Sequence, residues 1–224
     1  CIRDRICRDR RDVNRLDRPR RLLAAALAGL AGYVDAVGFL SADRYFVSFM
    51  SGNTTRLATE LIADTPRAVI PALLILGFVL GVALGHIAAD RAGIWRKPAV
   101  LGLVSALLAI GYALALAGQR APMMAALVLA MGALNTALRQ GETPIALTYL
   151  TGALVRIGLG LGGLVTGRRE EGLASFIALW LALACGAACG ASLFLAYGPA
   201  CLVLAVACGL AVTFAGLRIA RTTV

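Results

Sequence analysis

Charged and catalytic side chains are scarce in this sequence. Only 15% of its 224 residues are charged, and it has a single histidine, His86. It contains no H-E-x-x-H motif, no phosphate-binding glycine loop with its lysine, and no Ser-His-Asp set. We therefore expect no catalytic residue, no metal site and no cofactor, and we do not expect an enzyme.

The period-two alternation of a membrane β-barrel is also missing, whereas long apolar runs are abundant. The chain is 60% hydrophobic with a mean hydropathy of +0.83, and soluble domains are typically about 45–50% apolar. Several apolar runs reach about 18 residues, the length that crosses a bilayer as a helix. Because backbone groups in lipid must be hydrogen-bonded internally, the spans have to be helices. The sequence predicts an all-α, polytopic membrane protein whose main partner is the lipid bilayer.

Positive charge is concentrated at one end of the chain. The net charge is +10, and nine arginines but only four aspartates lie in residues 1–21. Such a flank is typical of the cytoplasmic side of a membrane protein. Nucleic-acid binding would need a folded basic face with aromatic platforms, so no nucleic-acid partner is expected. We predict that residues 1–21 form a disordered, basic, cytoplasmic tail.

One polar stretch, at residues 48–58, has a second copy 100 positions later. Ser51 and Gly52 correspond to Thr151 and Gly152. The same ungapped shift pairs Arg56 with Arg156 and Asp35 with Asn135. A register of this kind predicts an internal duplication. We expect two repeats of about 100 residues, 22–118 and 121–218, within one membrane domain.

Helical segments follow from the apolar runs and their boundaries. A cap at Ser51 or Asn53 is predicted for the first motif helix, in which Arg56 and Glu60 are spaced as an i, i+4 pair. Glycines at 77, 81 and 85 predict close helix packing. The predicted spans are 22–40, 68–89, 98–117, 122–138 (with Asn135 inside), 173–196 and a last one ending near Leu217; the two motif helices are 48–63 and 146–165.

Two topologies are open. If both motif helices cross the membrane, the chain has eight spans in two parallel repeats, and the basic loop 91–97 faces outside. If the motif helices are short or broken, there are six full spans and the repeats are inverted. In that arrangement only Arg44, Arg67 and Arg120 fall outside, in agreement with the positive-inside rule. The charge distribution favours six spans.

Polar residues inside the apolar segments are candidates for function. Charges within membrane segments are costly, and in inverted-repeat transporters short helix N-termini meet at a midplane site. Asp35 is expected to pair with an arginine or to carry a proton. The alternative is that these charges form buried pairs that only fix helix register. The candidate substrate-binding residues are Asp35, Ser51, Gly52, Asn53, Thr54, Arg56, Asn135, Thr151, Gly152 and Arg156.

Two motifs carry a resemblance to a known family. The stretches 32–39 (G-Y-V-D-A-V-G-F) and 46–54 (F-V-S-F-M-S-G-N-T), with T-Y-L-T-G at 148–152, resemble the YoaK family of bacterial membrane proteins. The resemblance implies a multi-pass inner-membrane protein and no established activity. Our first hypothesis is a small-solute transporter or channel, and oligomerisation is left open. The alternatives are a structural or regulatory membrane partner and an intramembrane enzyme.

Overall fold

The computed structural model describes residues 18–137, 139–140, 143–144, 150–167 and 172–221. Residues 1–17 of the predicted tail, and Thr148 and Tyr149 of the second motif, lie outside this part of the chain. The helices are α1 (Arg18–Ser41), α2 (Met50–Ala63), α3 (Val69–Ala92), α4 (Arg96–Leu116), α5 (Arg120–Leu134), α6 (Leu150–Val165), α7 (Leu173–Tyr197) and α8 (Leu202–Arg221). Two 3₁₀ turns, Gly93–Trp95 and Gly198–Cys201, and a minimal antiparallel strand pair, β1 (Arg139–Gln140) and β2 (Thr143–Pro144), complete the described elements.

Helix length and surface chemistry fit a bilayer. Three continuous apolar stretches are long enough to cross it, Arg21–Ser41, Val69–Leu116 and Leu173–Arg218. The second contains α3 and α4 and the third contains α7 and α8, each pair joined by a 3₁₀ turn. Large apolar side chains are exposed along these helices, which suits contact with lipid. The chain is therefore a polytopic helical membrane protein, as the sequence predicted.

Glycines bring two pairs of helices into backbone contact. Helix α3 lies against α5, where Gly81 contacts the Leu129 carbonyl and Gly132 contacts the Phe78 carbonyl. Helix α1 lies against α7 in the same way, with Gly32 at the Leu183 carbonyl. The close packing predicted from the glycine stripe of α3 is confirmed. In both pairs the residue numbers of the contacts rise together, so the paired helices run parallel.

Helices α4 and α8 pack in the opposite sense. Leu101 lies beside Gly216, and Ser105, further along α4, lies beside Gly209. The Ser105 Oγ is 3.1 Å from the Thr213 Oγ1 across the same contact. Because rising numbers on α4 meet falling numbers on α8, these two helices are antiparallel.

Several helix boundaries differ from the predictions by a few residues, and two of these differences change the role of a predicted residue. Helix α5 ends at Leu134, and Asn135 is its C-cap, not a residue inside a span reaching 138. The Asn135 Nδ2 donates to the Met131 carbonyl at 2.8 Å, which satisfies one of the free carbonyls of the last turn. Helix α2 begins at Met50 with Phe49 as its N-cap and no side-chain cap bond, so the predicted cap at Ser51 or Asn53 is wrong.

Candidate functional site

Asp35 anchors the segment that leads into α2. Its Oδ1 accepts hydrogen bonds from the backbone N–H groups of Val47 and Ser48, both at 2.8 Å. Val47 is fully buried and Ser48 is nearly so. These hydrogen bonds go to backbone rather than to an arginine, which was one of the two expectations for Asp35. A carboxylate in the second half of α1 therefore holds the irregular segment 46–49 against the helix bundle.

Asn53 ties the same segment to α2. Its side chain is fully buried. The Nδ2 donates to the Phe46 carbonyl at 2.7 Å, and the Oδ1 accepts from the Phe46 N–H at 3.1 Å. The amide thus pairs with the backbone of one residue much as a neighbouring strand would. This role replaces the predicted helix cap.

Arg56 closes the turn between α1 and α2. Its Nη1 donates to the carbonyls of Asp43 at 2.7 Å and Arg44 at 2.8 Å. Asp43 and Arg44 have φ values of 41° and 61°, in the left-handed region that non-glycine residues rarely adopt. Two hydrogen bonds from one charged group help to hold this turn. On its other side, Arg56 Nη2 lies 3.2 Å from Glu60 Oε1, which confirms the predicted i, i+4 pair.

Tyr45 completes this arrangement and was not predicted. The Arg56 guanidinium lies 3.9 Å from the centre of its ring, and its hydroxyl donates to the Glu60 carboxylate at 2.9 Å. Burial, followed by the hydrogen bond to Glu60, raises the pKa of Tyr45 above its usual value. No sequence pattern links a tyrosine in a loop to a glutamate fifteen positions later. We call Asp35, Tyr45, Asn53, Arg56 and Glu60, with segment 42–49, the α2 clamp.

The small residues of the first motif lie at the start of α2. Ser51 and Thr54 are exposed, and the Thr54 hydroxyl donates to the Met50 carbonyl of its own helix at 2.8 Å. Gly52 has no room for a side chain, because a Cβ there would lie 2.6 Å from the Phe49 ring. The start of α2 therefore presents hydroxyl groups at the protein surface, next to the clamp.

The second copy of the motif has different surroundings. On α6, Thr151 is exposed and Gly152 is half-buried. Arg156 is exposed, and its guanidinium lies 5.6 Å from the centre of the Phe176 ring on α7. The described contacts thus hold Arg56 at the α1–α2 turn and Arg156 beside α7. Within the described ranges, no group of three His, Cys, Asp or Glu side chains is placed to hold a metal ion.

This chain has a recognisable family and a similar known protein. Residues 23–215 match a family described as "Protein of unknown function (DUF1275)". The chain belongs to this family. It is also 39% identical over 201 residues to the UPF0700 transmembrane protein RA0705 of Rhizobium meliloti (strain 1021), covering 89% of this chain and 87% of that protein. No solved structure matches.

The match covers all of the clamp and both motifs. It confirms the resemblance to the YoaK family that the motifs at 32–39 and 46–54 carry. The relative's description as a transmembrane protein agrees with the apolar helices of this DUF1275 family member, which is a membrane protein.

Proposed function

We propose that this DUF1275 protein is a small-solute transporter or channel with six spans in two inverted repeats. The observation that carries the proposal is the antiparallel packing of α4 and α8, the last helices of the two halves. In parallel repeats, corresponding helices run in the same direction; in inverted repeats, they run in opposite directions. Inverted repeats that enclose a site between them are a common architecture of secondary transporters.

The parallel contacts of α1 with α7 and of α3 with α5 agree with this topology. With three spans in each half, α1 and α7 cross the membrane in one direction, and α3 and α5 cross it in the other. With α2 and α6 not crossing, the N-terminus and the basic loop 91–97 share the cytoplasmic side of a bacterial inner membrane.

Cysteine labelling tests this topology. Arg96→Cys and Arg120→Cys are placed singly in a background without the six native cysteines and labelled from outside intact cells with an impermeant thiol reagent. The six-span arrangement predicts labelling at 120 and protection at 96. Labelling at position 96 would reject it.

We place the solute site at the starts of α2 and α6, the two copies of the polar motif. In the first repeat, Ser51 and Thr54 provide hydroxyl groups beside Arg56. The second half of the site consists of Thr151, Gly152 and Arg156. The remaining site residues, which position these groups or line the site, are Asp35, Gly52, Asn53 and Asn135. Two arginines favour an anionic solute, and Asp35 supplies a carboxylate within a membrane helix, where charge is costly and usually functional. No catalytic step is proposed.

The activity test uses the full chain in proteoliposomes with a panel of small organic and inorganic anions, with and without a proton gradient. Arg56→Gln and Arg156→Gln should each abolish uptake, while Arg67→Gln should not. Arg67 is the matched control, since it forms an exposed i, i+3 pair with Asp64 outside the α2 clamp.

Thermal stability is measured on the same preparations. A purely structural arginine would lower the amount of folded protein but leave uptake per folded molecule unchanged. Full uptake by the double variant of Arg56 and Arg156 would remove the site.

A further inference from the structure

A groove lies between α1 and α7, away from the α2 clamp. Its volume is about 180 Å³, and its walls are four alanines, two from each helix, and Leu179. The polar side chains in its lining are Arg21 and Ser175. Small side chains on two adjacent helices therefore leave an apolar groove with the charged side chain of Arg21 at one end.

The groove lies at the N-terminal ends of α1 and α7. Because α1 and α7 run parallel, their N-termini lie at the same end of the bundle. Arg21 lies in the first turn of α1, and Ala174 and Ser175 lie in the first turn of α7. Arg21 is the charged residue among those that line the groove. It places positive charge at one end of the groove.

We propose that the α1–α7 groove binds one anionic phospholipid of the phosphatidylglycerol class. One acyl chain lies along the alanine walls, and the headgroup phosphate lies beside Arg21 and Ser175. The apolar walls require a hydrocarbon ligand, while the positive charge of Arg21 selects a negative headgroup. A soluble anion would leave the alanine walls unfilled. This site is independent of the proposed transport activity.

The test is a lipid titration of the purified full chain in neutral detergent, with the unfolding temperature as readout. A ligand that binds only the folded protein raises this temperature. We expect a saturable rise with phosphatidylglycerol, and none with phosphatidylcholine or with inorganic phosphate. An equal rise with phosphatidylcholine would show unselective lipid binding, and a rise with phosphate alone would show a simple anion site; either result overturns the proposal.

Two substitutions of alanine by leucine locate the site. Ala178→Leu fills the groove with an exposed side chain and should raise the midpoint concentration of phosphatidylglycerol at least about tenfold. Ala26→Leu is the matched control, because Ala26 is exposed on α1 but does not line the groove. Equal midpoints for the two variants would overturn the proposal.

Arg21→Gln tests the headgroup contact. It should raise the midpoint about fivefold, which corresponds to about 1 kcal/mol for one arginine near an anionic headgroup. An unchanged midpoint would exclude the headgroup contact. If this variant does not fold, the alanine pair still decides the proposal.

Discussion

Replacing Asn53 should loosen the α2 clamp by a measurable amount. Asn53→Ala removes the hydrogen bonds of 2.7 Å and 3.1 Å to the Phe46 backbone. Each buried polar group left without a partner costs about 1–3 kcal/mol. Because Phe46 itself is only half-buried, the lower part of that range applies to its two groups. We expect a loss of about 2–4 kcal/mol in the free energy of unfolding.

The measurement combines denaturant unfolding in detergent with hydrogen exchange of residues 46–49. Asn53→Ala should speed exchange in this segment, including the amides of Val47 and Ser48 that Asp35 holds. Thr54→Ala is the control, since its exposed hydroxyl bonds only to its own helix, and it should change stability by less than about 0.5 kcal/mol. Equal stability of the two variants would refute the strand-like role of Asn53.

The variant Asn53→Asp separates hydrogen bonding from the loss of side-chain volume. A carboxylate keeps an acceptor for the Phe46 N–H, but it places a negative oxygen where the Nδ2 now lies 2.7 Å from the Phe46 carbonyl. At neutral pH it should therefore be at least as unstable as Asn53→Ala, although it is nearly isosteric with asparagine. Wild-type stability of this variant would mean that the donor is dispensable.

Three other predictions concern packing, polar pairing and pH. Gly81→Ala places a Cβ 2.9 Å from a backbone Cα of α5 and should lower the free energy of unfolding by about 1–3 kcal/mol through overpacking. The control Gly158→Ala has open space around it and should be neutral or gain up to about 1 kcal/mol from helix propensity. Equal unfolding free energies of the two variants would contradict the close α3–α5 contact. A double-mutant cycle of Ser105→Ala and Thr213→Val should give a coupling of about 0.6 kcal/mol, typical of hydroxyl pairs between membrane helices, and zero coupling would exclude their hydrogen bond. Tyr45→Phe should destabilise by about 1 kcal/mol at pH 7. Since the folded-state pKa of Tyr45 is raised, the difference in unfolding free energy should persist below about pH 10 and shrink above it; a difference that grows above pH 10 would contradict the contact with Glu60.

The helices could be predicted from the sequence because lipid-facing segments must be long and apolar. Helix α7 begins at Leu173 as predicted and ends at Tyr197, one residue beyond the prediction. Local pairs could also be predicted, since Arg56 and Glu60 share one face of one helix. The glycines of α3 indicated a close contact, but spacing along one helix does not say which helix is the partner.

The hydrogen bonds inside the α2 clamp could not be predicted from the sequence, and the reason is physical. Asn53 reaches back seven residues to Phe46, and Asp35 reaches twelve residues forward to Val47. Such contacts depend on the path of the turn at Asp43 and Arg44. Both residues have left-handed φ values, although neither is the glycine that would indicate such a turn in the sequence. A side chain that resembles a helix cap in sequence can therefore serve a different backbone segment.

Helix α5 has a consequence for how the protein meets its membrane. It has only 15 residues, and ten of the twelve from Met123 to Leu134 are buried, so it spans about 22 Å and meets mainly protein. The length of α5 therefore need not match the thickness of the bilayer. The longer helices around α5 match it instead. During synthesis, its main partners α3 and α4 precede it, so this segment meets its surroundings as soon as it enters the membrane. Bilayers of different thickness should therefore strain the outer helices and leave the α3–α5 contact unchanged.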